Sequence, residues 1–466
     1  MLFYFFCFAP GRSDQKDHFP EGVLRGSSFL NWTVPSRRHF SYIQTTGMNE
    51  HEGTVNHPEL SRRLRLTITA IVVAGVASTV GLGFFGSQSH LSDFTGYFTA
   101  SRIVTRGDSI ASMYNDAWFR EQVKSVSTRD TNMLMYVNPP GISLVMIPLA
   151  NLDPYRAKVF WNLLSLVLAG GIWYLGREMF GIRARPGYGM LFLGMLVVTI
   201  PFLRNLQRGQ IYVLMLFLVL LFWKGLNDRK PWLAGCSLAM LLLLKYFGWM
   251  FIPLLIVERR WKELVFTLGT LVVGTGILLM VLGIEAYQSH IERLFASFRS
   301  MDVAVTGLPS IPALIGALVL SSPWLSTLRF FPSEVWIWII TVTLLLAMIY
   351  FTFRSTRAAL PESQSRGFLA ILMLSVLFTP LAAEHHYVLL VFPLWFMLSD
   401  LLQRGVSWTM FPAFGLLSYA IFGWLPASVS PGGHSLSFVF PYLRLLAATM
   451  LWLMVVTYRE RRGVPA

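Results

Sequence analysis

From residue 64 onward the chain alternates long apolar stretches with short polar ones, most of them basic. The first, Leu66–Ser89, carries no charge and exceeds the ~20 residues that a membrane-crossing helix needs. Arg62, Arg63 and Arg65 precede it, so the rule that basic flanks stay in the cytosol puts the N-terminus inside and Asp93 outside. The basic clusters Arg177–Arg185, Lys224–Lys230, Glu258–Lys262, Arg354–Arg366 and Arg459–Arg462 all fall on the cytosolic side if two apolar pieces do not fully cross. Those pieces are Pro139–Leu152 and Ser310–Leu320, both short and both beginning beside prolines. Pro231–Val257 then forms a hairpin of two short helices folding back near Lys245. The pattern predicts an all-α polytopic membrane protein of about twelve transmembrane helices, with both ends in the cytosol and two re-entrant or non-spanning segments.

One stretch breaks this rhythm. Residues 87–140 form the longest polar segment, opening on Asp93 and closing on Asn138-Pro139-Pro140, and are predicted as a long first extracytoplasmic loop. Residues 1–63 read as a polar cytosolic segment without periodicity, residues 64–458 as the membrane domain, and residues 459–466 as a cytosolic tail. Leu2–Ala9 is too short to span and lacks the basic flank of a signal peptide. Met48 opens a more ordinary cytosolic beginning, MNEHEGTVNHPEL, so residues 1–47 are expected to reflect an upstream start codon. Asn31-Trp32-Thr33 matches a glycosylation tripeptide, a pattern too common by chance to carry weight.

Composition sharpens the class. With 54% hydrophobic and 13% charged residues, the chain is too apolar for a soluble globular protein. A net charge of +14 would point to nucleic acid in a soluble protein; here inter-helix basic loops account for it, and no nucleic-acid partner is expected. Cys7 and Cys236 are far apart and imply neither a disulfide framework nor thiol chemistry. Trp and Met content fits interface anchoring and lipid-facing packing.

On the predicted topology, polar groups gather on the outer side, where ionisable residues at the edge of hydrocarbon are functional candidates. The first loop supplies Asp93, Tyr97, Arg102, Asp108 and Tyr114, then Asn138; the next outer turn supplies Arg204, Asn205, Arg208 and Gln210. Lys245 stands at the hairpin apex, Glu384, His385, His386 and Tyr387 at a later turn, and His290, Glu292 and Arg293 in a second outer loop. Each has a plainer reading. Asp93 could cap the following helix, and Arg102 and Arg106 could reach lipid headgroups. Arg204 and Arg208 run against the positive-inside bias, and a guanidinium fork suits phosphate. Lys245 interrupts LAMLLLLKYFGWMFIPLL, a costly place for an ammonium without an anion. His385-His386 lacks a third ligand at metal spacing. A divalent metal stays open, since Asp93 has no Asp-x-Asp neighbour and would need Asp108 or Glu384.

A cationic outer groove beside one carboxylate fits a definite chemistry: cations hold the phosphate of a lipid donor while the carboxylate takes a proton from an acceptor hydroxyl. A transporter or flippase of a lipid-linked glycan is the alternative. It would place charges at the bilayer midplane between internal repeats, whereas these cluster toward one face.

Four blocks carry a resemblance to a known family. They are Asp93-Phe94-x-x-Tyr97 with Gly107-Asp108 and Met113-Tyr114; Tyr136-x-Asn138-Pro139-Pro140 with Pro148-Leu149; Arg204-Asn205 with Gly209-Gln210, Pro231-Trp232-Leu233-Ala234-Gly235 and Lys245; and Thr379-Pro380 with His385 and Pro393. In order and spacing, from Leu64 to Asp400, the chain resembles the polyprenol-phosphate-sugar-dependent glycosyltransferases of family 87, an α-mannosyltransferase-like group. It departs at Ala383, where the family usually has Trp, and at Tyr246, where Pro is usual. The resemblance implies a GT-C fold and inverting transfer of a mannose-like sugar from a polyprenyl-phosphate donor to a lipid or glycan hydroxyl outside a bacterial cell membrane. It also implies Asp93 as catalytic base, with Lys245, Arg204 and His385 as donor-phosphate or sugar contacts.

Overall fold

The computed structural model describes residues 62–85, 90–127, 129, 135, 138–179, 186–299, 308–321, 333–356, 361–404, 410–425 and 439–457. The expectations for residues 1–61, for the tail after residue 457, and for Tyr136 and Val137 lie outside the described residues.

Among the described residues the architecture is entirely helical. In chain order the helices are α1 (Arg62–Phe85), α2 (Phe94–Arg106), α3 (Asp116–Lys124), α4 (Pro154–Met179), α5 (Pro186–Val197), α6 (Ile200–Arg208), α7 (Tyr212–Asn227), α8 (Pro231–Lys245) and α9 (Phe251–Val257). They continue with α10 (Trp261–Leu282), α11 (Ile284–Arg299), α12 (Ile311–Ser321), α13 (Ser333–Thr356), α14 (Pro361–Leu377), α15 (Val391–Arg404), α16 (Met410–Trp424) and α17 (Val439–Thr457). Short 3₁₀ turns at Ala111–Tyr114, Pro140–Leu144, Ile147–Leu149 and Glu384–Leu390 join them.

Among the described residues, three helices are long and apolar enough to cross a membrane: Pro154–Met179, Trp261–Leu282 and Glu334–Thr356. A fourth crossing is possible through α5 and α6, which meet at a 54° bend. Shorter apolar stretches of 10–17 residues include Val72–Leu82 within α1, Tyr212–Asn227 and Pro231–Lys245. Helix α10 turns Val265, Val272, Val273 and Met280 outward. An uncharged apolar face of this extent is stable against lipid, not water; the chain is a membrane protein.

One segment differs in detail from the sequence pattern. The polar first loop is largely helical: α2 is amphipathic and buries Phe94, Tyr97, Phe98 and Ile103. The piece at 231–257 does break at Lys245, where Tyr246 (φ 52°) caps α8 in the left-handed region and Gly248 (φ 93°) follows. Helix α9 then packs on α10 and α14. Fifteen residues carry Lys245 only ~22 Å from the start of α8, short of the ~30 Å hydrocarbon thickness.

The core lies where α7, α9, α14, α15 and the 384–390 turn meet. Phe222, Phe251, Phe368 and Phe392 interlock there with Trp223. This packing holds the polar ends of α2, α6, α7 and α8 against one another.

Candidate functional site

Asp93 occupies the cap position of α2, yet its side chain makes no capping hydrogen bond. The carboxylate is turned elsewhere: Gln210 donates Nε2–H to Asp93 Oδ2 at 2.7 Å, and Arg208 Nη1 stands 3.5 Å from the same oxygen. Gln210 is polarised from behind, because its Oε1 accepts the Tyr97 hydroxyl at 2.7 Å. Tyr97 is one helical turn beyond Asp93 and so shares its face. Burial, with Tyr212 and Asp93 adding to it, pushes the Tyr97 hydroxyl well above its ordinary range, so it stays a donor.

Local sequence explains why Arg208 and Gln210 are in place. Thr199 caps α6 by accepting the Phe202 N–H, with Pro201 in the first turn. Gly209 ends the helix at φ 63°, a left-handed conformation that glycine adopts without strain. The N–H of Gln210 returns to the Asn205 carbonyl at 2.9 Å. A Cβ on Gly209 would lie 2.6 Å from Phe94 Cβ, so only glycine lets this turn approach the start of α2 so closely.

Asn205 ties the turn to its neighbours. Its amide donates to the Pro201 and His385 carbonyls at 2.9 Å each, and its oxygen accepts the Tyr212 N–H at 3.2 Å. His386 Nδ1 sits against the Ala383 backbone, 3.0 Å from its nitrogen and 3.2 Å from its carbonyl oxygen, and Nε2 is 2.5 Å from the Tyr212 hydroxyl. His385 stacks on His386 at 4.5 Å. Burial chiefly, then His386 and the Arg208 and Lys245 charges, hold His385 well below the usual histidine range; burial and Lys245 do the same to His386. Both imidazoles are neutral.

Lys245 is the fixed cation of the site. Its ammonium donates to Asn138 Oδ1 at 2.6 Å and lies over the Tyr97 and Tyr212 rings at 5.3 and 5.5 Å, contacts that favour a desolvated cation. Arg204 is neutralised: Nε meets Glu384 Oε2 at 2.9 Å and Nη1 meets Gln207 Oε1 at 2.9 Å. Arg444, on α17 and only 1% exposed, stands 3.7 Å from Glu384 Oε1. The neighbourhood of Asp93 therefore holds two cations, Arg208 and Lys245, against one carboxylate, with two neutral imidazoles: an excess of positive charge in a largely buried setting.

The structure thus brings together Asp93, Tyr97, Asn138, Arg204, Asn205, Arg208, Gln210, Lys245, Glu384, His385 and His386 from the sequence-derived set. The others stand apart; on α11, His290 lies against the Tyr114 and Tyr246 rings and Arg293 pairs with Asp116 at 2.6 Å. Arg102 gives its guanidinium to the Ala150 and Leu152 carbonyls at 3.0 and 3.2 Å, pinning α2 to the turn before α4. Asp108 is exposed in the turn after α2. Tyr114 supports Asn138 from behind, its hydroxyl donating to the Asn138 carbonyl at 3.1 Å. Tyr387 is buried and donates to the Pro309 carbonyl at 2.7 Å. Tyr212 and Arg444 were not singled out, since each sits in an apolar helix where only its position around the axis marks it. For a divalent metal, no group of three or more His, Cys, Asp or Glu side chains stands at ligating distance among the described residues.

A helical membrane protein with a carboxylate inside a cationic, hydrogen-bonded cluster defines the class. Residues 136–383, more than half of the chain, match the profile of Glycosyltransferase family 87, and the chain belongs to that family. It is also similar to the Alpha-(1->3)-arabinofuranosyltransferase of Corynebacterium glutamicum, 22% identical over 284 residues, covering 59% of this chain and 63% of that relative. The chain thus spans somewhat less than two thirds of that relative's length. No solved structure matches the chain.

Proposed function

We propose that this glycosyltransferase moves a sugar from a polyprenyl-phosphate donor to a hydroxyl of a lipid or glycan acceptor, with Asp93 as general base. The observation that carries the reading is the Asp93 carboxylate, released from capping and held by Gln210 beside an excess of positive charge. In the reaction the acceptor O–H loses its proton to Asp93 as its oxygen bonds to the anomeric carbon. The bond from that carbon to the phosphate oxygen breaks, and the electron pair leaves with the phosphate. Attack opposite the departing group inverts the sugar carbon. Lys245 and Arg208 stabilise the charge that collects on the phosphate, where fixed cations act most strongly.

The basic-loop pattern favours a GT-C-type bundle of about twelve helices in the cell membrane with this site outside the cytoplasm. The transferred sugar is read as mannose-like; the name of the corynebacterial relative adds arabinofuranose as the second donor to test. The experiment is transfer of radiolabelled sugar by membranes containing the protein, from polyprenyl-phosphate-mannose and, in parallel, polyprenyl-phosphate-arabinose. Wild type transfers label from one donor and Asp93→Asn from neither, at equal protein levels. Equal transfer by both proteins removes Asp93 from the reaction.

A further inference from the structure

The arginines near this site are not equivalent. Arg204 is engaged by Glu384 and Gln207, Arg102 by two backbone carbonyls, and Arg444 is buried behind Glu384. Arg208 differs. Its side chain is 43% exposed, and its contact is the single 3.5 Å approach of Nη1 to Asp93; among the described residues Nε and Nη2 have no hydrogen-bond partner. Lys245 is its opposite, seated between two tyrosine rings and bonded to Asn138. One cation is fixed, and the other is loosely parked on the carboxylate proposed to act as base.

We propose that Arg208 is an exchangeable cation that rests on Asp93 in the free protein and turns to the phosphate of the lipid donor when the donor binds. The proposal rests on the donor reading above. A guanidinium fork prefers the bidentate geometry that a phosphate offers to one long contact with a carboxylate oxygen. Leaving Asp93 costs little, because a partly exposed pair with such geometry is weak. Asp93 is not stranded by the exchange: Gln210 still donates to it, Tyr97 still orders Gln210, and Lys245 stays nearby. Of the other groups around it, Tyr212, His385 and His386 are uncharged. Donor binding thus withdraws one positive charge from the carboxylate when it must accept a proton, which orders the events: donor first, proton transfer second.

The test is a binding cycle on the purified full-length protein in nanodiscs. Affinity for undecaprenyl phosphate is measured in wild type, Asp93→Asn, Arg208→Gln and the double variant, with inorganic phosphate and a nucleoside diphosphate as comparison ligands. Asp93→Asn frees the parked guanidinium and tightens binding about two- to five-fold, the range of a partly exposed ion pair. Arg208→Gln weakens binding about ten-fold or more, as loss of a charge-assisted contact does. In the Arg208→Gln background, Asp93→Asn has no further effect. Equal tightening by Asp93→Asn in both backgrounds overturns the exchange, because the carboxylate then repels the phosphate directly; unchanged affinity in Arg208→Gln overturns it as well. Failure of the donor reading looks different: wild type then prefers the nucleoside diphosphate, or binds none of the three, and the exchange falls with it. Melting temperatures of all four proteins establish that each is folded.

Discussion

Gly209 offers the most direct test of how the site is built. Gly209→Ala forces an alanine into the left-handed region at φ 63°, which costs ~1–2 kcal/mol. It also sets a methyl 2.6 Å from Phe94 Cβ and 3.1 Å from the Phe94 ring. The nearest atom is a Cβ, so no rotamer relieves the clash and the backbones of the turn and α2 must part, adding ~1–3 kcal/mol. Gly107→Ala is the internal control: its φ is 71°, but nothing lies within 4 Å of the added methyl, so only the conformational cost of ~1–2 kcal/mol applies. Thermal unfolding in one detergent, followed by tryptophan fluorescence, should show Gly209→Ala losing about two to three times as much stability as Gly107→Ala. Below both melting temperatures, Gly209→Ala should also lose about ten-fold or more in sugar transfer, since it separates the proposed base Asp93 from Gln210 and Arg208. Gly107→Ala should stay near wild type. Equal destabilisation by the two changes would refute the argument that close approach at Phe94 fixes the site.

Two further outcomes follow from buried polar groups. Glu384→Gln leaves Arg204 and the 1%-exposed Arg444 facing an uncharged amide, a loss of about 3–5 kcal/mol; adding Arg444→Met removes the stranded charge and restores part of it, and unfolding of the single and double variants measures both. His290, on α11 between Tyr114 and Tyr246, has no hydrogen-bond partner at either ring nitrogen among the described residues, and burial lowers its pKa to about 4. Between the ordinary histidine value of about 6.5 and pH 4 the unfolded chain binds a proton that the folded protein does not, so stability falls as pH falls through this window, by at most ~3 kcal/mol. His290→Phe lacks this term, so its melting temperature drops less on acidification than that of wild type; parallel pH profiles would exclude a neutral buried His290.

Side-chain chemistry and distance from a charged flank are legible in a sequence; rotation about a helix axis and partners across the fold are not. Asp93, Gln210 and Lys245 stood out because each is polar at the edge of apolar sequence. Arg102 stood out for the same reason, but it lies five residues past Tyr97, about 140° around the helix, and that angle directs it to the carbonyls of residues 150 and 152. Tyr212 heads a helix of mostly Leu, Phe and Val and reads as an interface anchor until the fold brings His386 to its hydroxyl. Arg444 was hidden for a related reason: its counter-charge, Glu384, is sixty residues away, and no local pattern pairs them. The short helices blurred the span count, because a bend at Thr199 and the break at Lys245 divide apolar sequence that looks continuous.

The ion triad Arg204–Glu384–Arg444 also bears on how the protein is made. Chains enter a membrane from the N-terminal end, so Arg204 is delivered first, Glu384 next and Arg444 last. An arginine in an otherwise apolar helix resists insertion, but by the time α17 leaves the ribosome the carboxylate that receives Arg444 is already waiting, itself held by Arg204. The triad is therefore completed in the order of translation, and Arg444 is the last of its three charges to arrive.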